Sequence, residues 1–246
     1  MSGRARWVVQ AGSIDNVIVR GARAWPVIGA LLVTLAAVGG IWGWTTLRAP
    51  SVPLSVTSTQ KADVGWLVPD RPDDPIPLDR DNRPPDGVAG TSLSVSMTVH
   101  GLTDEAVVLE GARVEVVARR PPTSGGALLW TGPICPCYLL PVRHYGADLD
   151  SPTLALKFYE GEDGSAPFPY TVSRTAPEKI VVSATTREGD FDWRVHLSWT
   201  SGTSKGELQV DDNGTPFRVT ASKESKIFCP DKAQWVRTQK VTCHNY

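Results

Sequence analysis

Hydrophobic residues follow two rhythms along this chain. Residues 24–47 read AWPVIGALLVTLAAVGGIWGWTTL, with no charge between Arg23 and Arg48. At about 1.5 Å per residue, a helix over that stretch spans roughly 36 Å, enough to cross a hydrocarbon core of roughly 30 Å. Its glycines and Pro26 would weaken a helix in water, but lipid-buried helices tolerate them. Trp25 near one end, and Trp42 and Trp44 near the other, match the aromatic belt of a membrane interface. The run exceeds a signal-peptide core of about 7–15 residues, and the LRAPSV that follows is a poor cleavage site. The pattern therefore predicts an uncleaved signal anchor.

Past residue 92 the period becomes two. Leu93, Val95, Met97 and Val99 alternate with Ser94, Ser96, Thr98 and His100, the pattern of a half-buried strand. Residues 107–117 carry two further apolar bursts, split near Gly111. The strongest alternation sets Phe191, Trp193, Val195, Leu197 and Trp199 on one face and Asp192, Arg194, His196 and Ser198 on the other. Burial of the first face contributes about 1.5–3 kcal/mol per large side chain. The second face is expected to stay wet, as in an antiparallel sheet. A turn at residues 201–204 leads back through Leu208 and Val210, and Asp212-Asn213-Gly214 is a tight-turn signal before Phe217 and Val219.

Between the two rhythms lies PDRPDDPIPLDRDNRPPDG, which reads as a stiff, charged loop, with PLSV and GWLVP before it as candidate strands. No amphipathic helix of useful length follows residue 48. The predicted fold class is mainly β, with one N-terminal transmembrane helix followed by an extracytoplasmic antiparallel β-sandwich-like domain. The boundaries are a basic arm at 1–23, the helix at 24–47, a Pro-rich linker or loop at 48–92 with possible first strands, and the β-domain at 93–246.

Charge orients this arrangement. Arg4, Arg6, Arg20 and Arg23 against Asp15 give residues 1–23 a charge of +3, leaving −4 for the rest of a chain whose net charge is −1. Arginines beside a membrane helix favour the cytoplasmic side, so the β-domain is expected outside. A mildly acidic domain lacks the electrostatic footprint of a nucleic-acid binder. All four cysteines, Cys135, Cys137, Cys229 and Cys243, fall on the outer side, where disulfides are allowed. Three pairings are open. A direct Cys135–Cys137 bridge would be strained, which favours joining one or both to the C-terminal pair. Spacings of one and thirteen intervening residues are far from zinc knuckles, so no metal is expected.

Motifs that could carry chemistry have plainer explanations. Gly202-Thr203-Ser204-Lys205-Gly206 matches the G-x-S-x-G nucleophile pattern, but that motif needs a following helix and a strand follows here. Asp79 and Asp81 fail the EF-hand template, because Arg83 takes the third ligand place and the required glycine is missing. His100, His144, His196 and His244 form no ligand pattern, and His196 reads as a surface residue. Within the apolar stretch, Gly39 and Gly43 form a G-x-x-x-G pair that would let two helices meet in a homodimer.

Two resemblances add to this. Residues 7–19 are rich in β-branched residues and free of proline, a cross-β profile. Within them Val8, Val9, Gln10, Ala11, Gly12 and Ile14 resemble the amyloid signalling motifs of bacterial immune-type proteins, themselves similar to RHIM motifs. That resemblance implies templated self-assembly and a cytoplasmic protein partner, although Asp15-Asn16 replaces the glycine expected there. Separately, much of residues 93–222 looks like an uncharacterised actinobacterial family of membrane-anchored proteins. The resemblance is carried by Phe168, Pro169, Tyr170 and Val172; by Pro177 and Glu178; by Trp193, Leu197 and Trp199; and by Asp211, Asp212, Gly214, Pro216, Phe217 and Arg218. It implies a membrane location and a β-rich fold, and no activity. The expected function is a non-enzymatic single-pass protein, without cofactor, that displays a binding or sensing domain, with contacts around residues 70–90 and 131–150 and membrane lipid as a partner. A structural envelope protein and an unrecognised extracytoplasmic enzyme are the alternatives.

Overall fold

The alternating stretch around Trp193 becomes a twelve-residue strand with partner strands on both sides, in the larger of two sheets. The computed structural model describes residues 52–69, 76–77, 83–131, 142–159, 166–232, 234–238 and 243, all within one unit from Ser51 to Tyr246. The basic arm, residues 24–47, Cys135, Cys137 and His244 lie outside the described residues. Among the described residues there is no helix, and so none long and apolar enough to cross a membrane.

In chain order the strands are β1 (Leu54–Ala62), β2 (Gly65–Val68), β3 (Ile76–Pro77), β4 (Val88–Gly90), β5 (Ser92–Gly101), β6 (Val107–Arg120), β7 (Ala127–Trp130) and β8 (Val142–Asp148). They continue with β9 (Lys157–Tyr159), β10 (Tyr170–Val172), β11 (Glu178–Thr185), β12 (Asp190–Ser201), β13 (Ser204–Val210), β14 (Phe217–Thr220), β15 (Lys226–Asp231) and β16 (Gln234–Arg237). One sheet has the spatial order β1-β5-β11-β8-β9. The other runs β10-β6-β12-β14-β4-β2-β7-β15-β16-β3, with β13 also paired to β12. PLSV and GWLVP thus enter β1 and β2, one in each sheet.

The predicted inward faces meet in one apolar core. Leu93, Val95, Met97 and Val99 of β5 are fully buried, as are Trp193, Val195 and Leu197 of β12, and both sets belong to the same cluster. A smaller cluster joins Val68, Ala127, Leu129, Phe228 and Trp235. The split expected near Gly111 is a shift of register within one continuous strand: Ser198 pairs with Gly111 and Trp199 with Leu109. A glycine inside a strand pattern commonly marks such a bulge. Asn213 and Gly214 take φ of 53° and 91° between the bridged Asp212 and Thr215, the left-handed pair that an Asn-Gly hairpin turn requires.

Two expectations need correction. The sheets are not purely antiparallel, because β11–β8, β14–β4 and β15–β7 pair in parallel. These partners are distant in sequence, and parallel pairing needs long connections that local turn signals do not reveal. Residues 142–148, read as part of a contact loop, form strand β8.

Candidate functional site

The outer face of β12 is half-covered: Asp192, Arg194 and Ser198 stay partly exposed, but His196 does not. His196 is only 7% exposed, against the surface position expected for it. Register places Arg113 of β6 and Gln209 of β13 on either side of it. Its Nε2 lies 2.5 Å from Glu115 Oε2 and its Nδ1 lies 3.3 Å from Glu207 Oε2. Arg113 closes the group with paired hydrogen bonds of 2.8 and 2.9 Å to Glu207. Those bonds hold the Glu207 carboxyl below its ordinary range. Arg194, on the same face, reaches Asp211 at 3.4 Å.

A second ionic cluster sits at the start of β12. Asp190 is 1% exposed. Arg218 donates to it from Nε and Nη2 at 3.0 and 2.8 Å, and Arg120 donates from the same two atoms at 3.1 and 2.8 Å. Arg120 also donates to both oxygens of Asp192, at 2.7 and 2.6 Å. Burial alone would push the Asp190 carboxyl up, but hydrogen bonds from Arg218 and Arg120 outweigh it and hold the group below the usual aspartate range. The bond to Asp192, set against burial, holds Arg120 above its ordinary value.

Aromatic rings form a third group. Tyr145 and Phe168 stack at 4.9 Å, Phe168 and Tyr170 at 4.7 Å, and Phe158 tilts against Tyr145 at 5.3 Å. The Arg143 guanidinium lies 4.1 Å from the Tyr170 ring centre and donates from Nε to Glu178 at 3.1 Å. Burial pushes both the Tyr170 and Tyr145 phenols up.

The residues quoted for the family-like pattern therefore hold the structure together. Phe168 and Tyr170 belong to the aromatic stack and Glu178 anchors Arg143. Trp193, Leu197 and Trp199 are core, while Arg218 clamps Asp190. Ser204 opens β13 directly after a two-residue turn, so the G-x-S-x-G stretch is a hairpin between strands. His100, His144 and His196 lie on β5, β8 and β12, and among the described residues no group of three His, Cys, Asp or Glu side chains is placed to hold a metal ion.

Cys229 of β15 is bonded to Cys243, with Cα atoms 5.5 Å apart. The favoured joining of Cys135 or Cys137 to the C-terminal pair is corrected: the two C-terminal cysteines bond to each other. Their spacing of fourteen residues in one hairpin-and-tail segment makes the ring local. Gly39, Gly43 and the Val8–Ile14 motif lie outside the described residues, as do Cys135 and Cys137.

One surface feature escaped the sequence reading. A depression of about 350 Å³ opens at the β8–β9 edge, lined by Gly146, Asp148, Lys157, Tyr159, Thr185 and Arg187 among others. Tyr159 is 56% exposed there. The only signal was the short alternation of Lys157, Phe158 and Tyr159, which puts the phenylalanine inward and its neighbours outward.

No protein-family model matches this chain. No curated protein is significantly similar to it.

Proposed function

We propose that this is a single-pass membrane protein that holds its N-terminal arm in the cytoplasm and presents a non-catalytic, sandwich-like β-domain outside the cell for binding or sensing. The Cys229–Cys243 bridge carries this reading. Disulfides persist in oxidising compartments, and this one follows an uncharged stretch long enough to span a bilayer, itself preceded by a basic arm. The buried Asp190 and His196 side chains are both engaged in ties between strands, which supports the non-catalytic part of this reading. Membership of the actinobacterial family of membrane-anchored proteins is part of the same proposal. So is a signalling role for the arm, through stacking of residues 7–19 with a partner segment.

Protease access on intact cells tests the orientation. Trypsin added outside should release fragments of residues 51–246 in which the Cys229 and Cys243 peptides stay joined by their disulfide and separate when a reductant is added. Fragments released only after lysis, or both thiols free in the intact cell, would overturn the reading.

A further inference from the structure

We propose that the depression at the β8–β9 edge binds an anionic sugar, a pyranose ring carrying carboxylate groups as in a uronate glycan. This deepens the proposed function and rests on it, since it names what the displayed domain would hold.

The first observation is an aromatic platform. Tyr159 is more exposed than any other large apolar side chain among the described residues. It pairs with His144 across the β8–β9 ladder, yet its ring reaches diagonally over Gly146. A Cβ on Gly146 would collide with the hydroxyl oxygen, Cε2 and Cζ of that ring. One side of the phenol is therefore seated on the strand backbone and the other is offered to solvent. An aromatic face is electron-rich and accepts the C–H groups that line one face of a pyranose.

The second observation is charge. Arg113, Arg120, Arg143, Arg174, Arg194 and Arg218 each pair with a carboxylate. Arg187 and Lys157 make no ion pair among the described residues, and both line this depression. Among the described lining residues Asp148 is the one acidic side chain, so that lining is net positive. An unpaired guanidinium matches a carboxylate with two parallel hydrogen bonds. Asp148 and Thr185 also line the depression; the Thr185 hydroxyl donates to Ala147 O at 3.4 Å, so both offer acceptor oxygens to sugar hydroxyls. The volume of about 350 Å³ lies at the lower end of the range for small-ligand sites.

The test uses the full-length protein in detergent micelles, titrated calorimetrically with tetragalacturonate and, as a neutral counterpart, cellotetraose. Tetragalacturonate should bind, more weakly as salt rises, and cellotetraose should bind at least about tenfold more weakly. Tyr159→Ala should weaken tetragalacturonate binding by about tenfold, while Tyr159→Phe keeps it within about threefold. Gly146→Ala, which displaces the ring, should act like Tyr159→Ala. Lys157→Ala combined with Arg187→Ala should remove most of the salt dependence. Leu102→Ala, at another exposed apolar site, should leave binding unchanged. Absence of binding, equal binding of the two tetrasaccharides, or indifference to Tyr159→Ala would overturn the proposal. The protease-access experiment involves none of these residues, so a correctly displayed domain that ignores tetragalacturonate removes this site alone.

Discussion

Asp190 shows how a single residue ties the fold to pH. It is a buried carboxylate between two arginines that are 39% and 40% exposed. Breaking a fully buried pair costs about 3–5 kcal/mol, and solvent at the two guanidinium groups lowers that figure here, so Asp190→Asn should destabilise by about 2 kcal/mol at neutral pH. The folded-state carboxyl is depressed relative to the unfolded one. Its contribution is therefore complete above the ordinary aspartate value of about 4 and is lost as pH falls through the lower folded value. Urea melts from pH 7 to pH 2 should show the wild type losing stability in that acid range, with a flatter profile for Asp190→Asn. None of this cluster could be read from the chain. Arg120 and Asp190 are 70 positions apart, and their meeting depends on the β6–β12 register. The burial of His196 is hidden from the chain for the same reason: its carboxylate neighbour Glu115 is 81 positions away.

Elements were more legible than contacts. A strand's period of two maps directly onto burial, so the inward faces of β5 and β12 follow from the alternation alone. Turn chemistry likewise placed the Asp212–Thr215 turn, because few residues accept positive φ. The parallel neighbours were invisible, since nothing local to β7 reports that β15 will lie beside it. Gly65 is an instance with a measurable consequence. A methyl group there would meet the backbone carbonyl of Leu129 on β7, and backbone gives way poorly. Gly65→Ala should cost about 1–3 kcal/mol, seen as a lower thermal midpoint with the disulfide intact. The tyrosine-lined depression was equally hidden, for it depends on a side chain crossing from β9 to β8.

Across the whole molecule, the C-terminal staple closes a loop of about fifteen residues, for which chain entropy predicts about 3 kcal/mol. The Cys229→Ser, Cys243→Ser double variant should lose stability by that amount in denaturant melts, and added reductant should lower the wild type to the same level. Equal melts with and without reductant would show that the bridge contributes nothing to the native state.

Strand β1 begins six residues after Arg48 and lies at the end of its sheet, paired with β5 alone among the described strands. On the membrane-anchored reading proposed above, it is the first part of the domain to feel a pull from that side. Tension delivered there would peel the rim strand away while the inner strands stay zipped, so the domain would surrender its first strand at low force and keep its tryptophan-filled interior until much higher force.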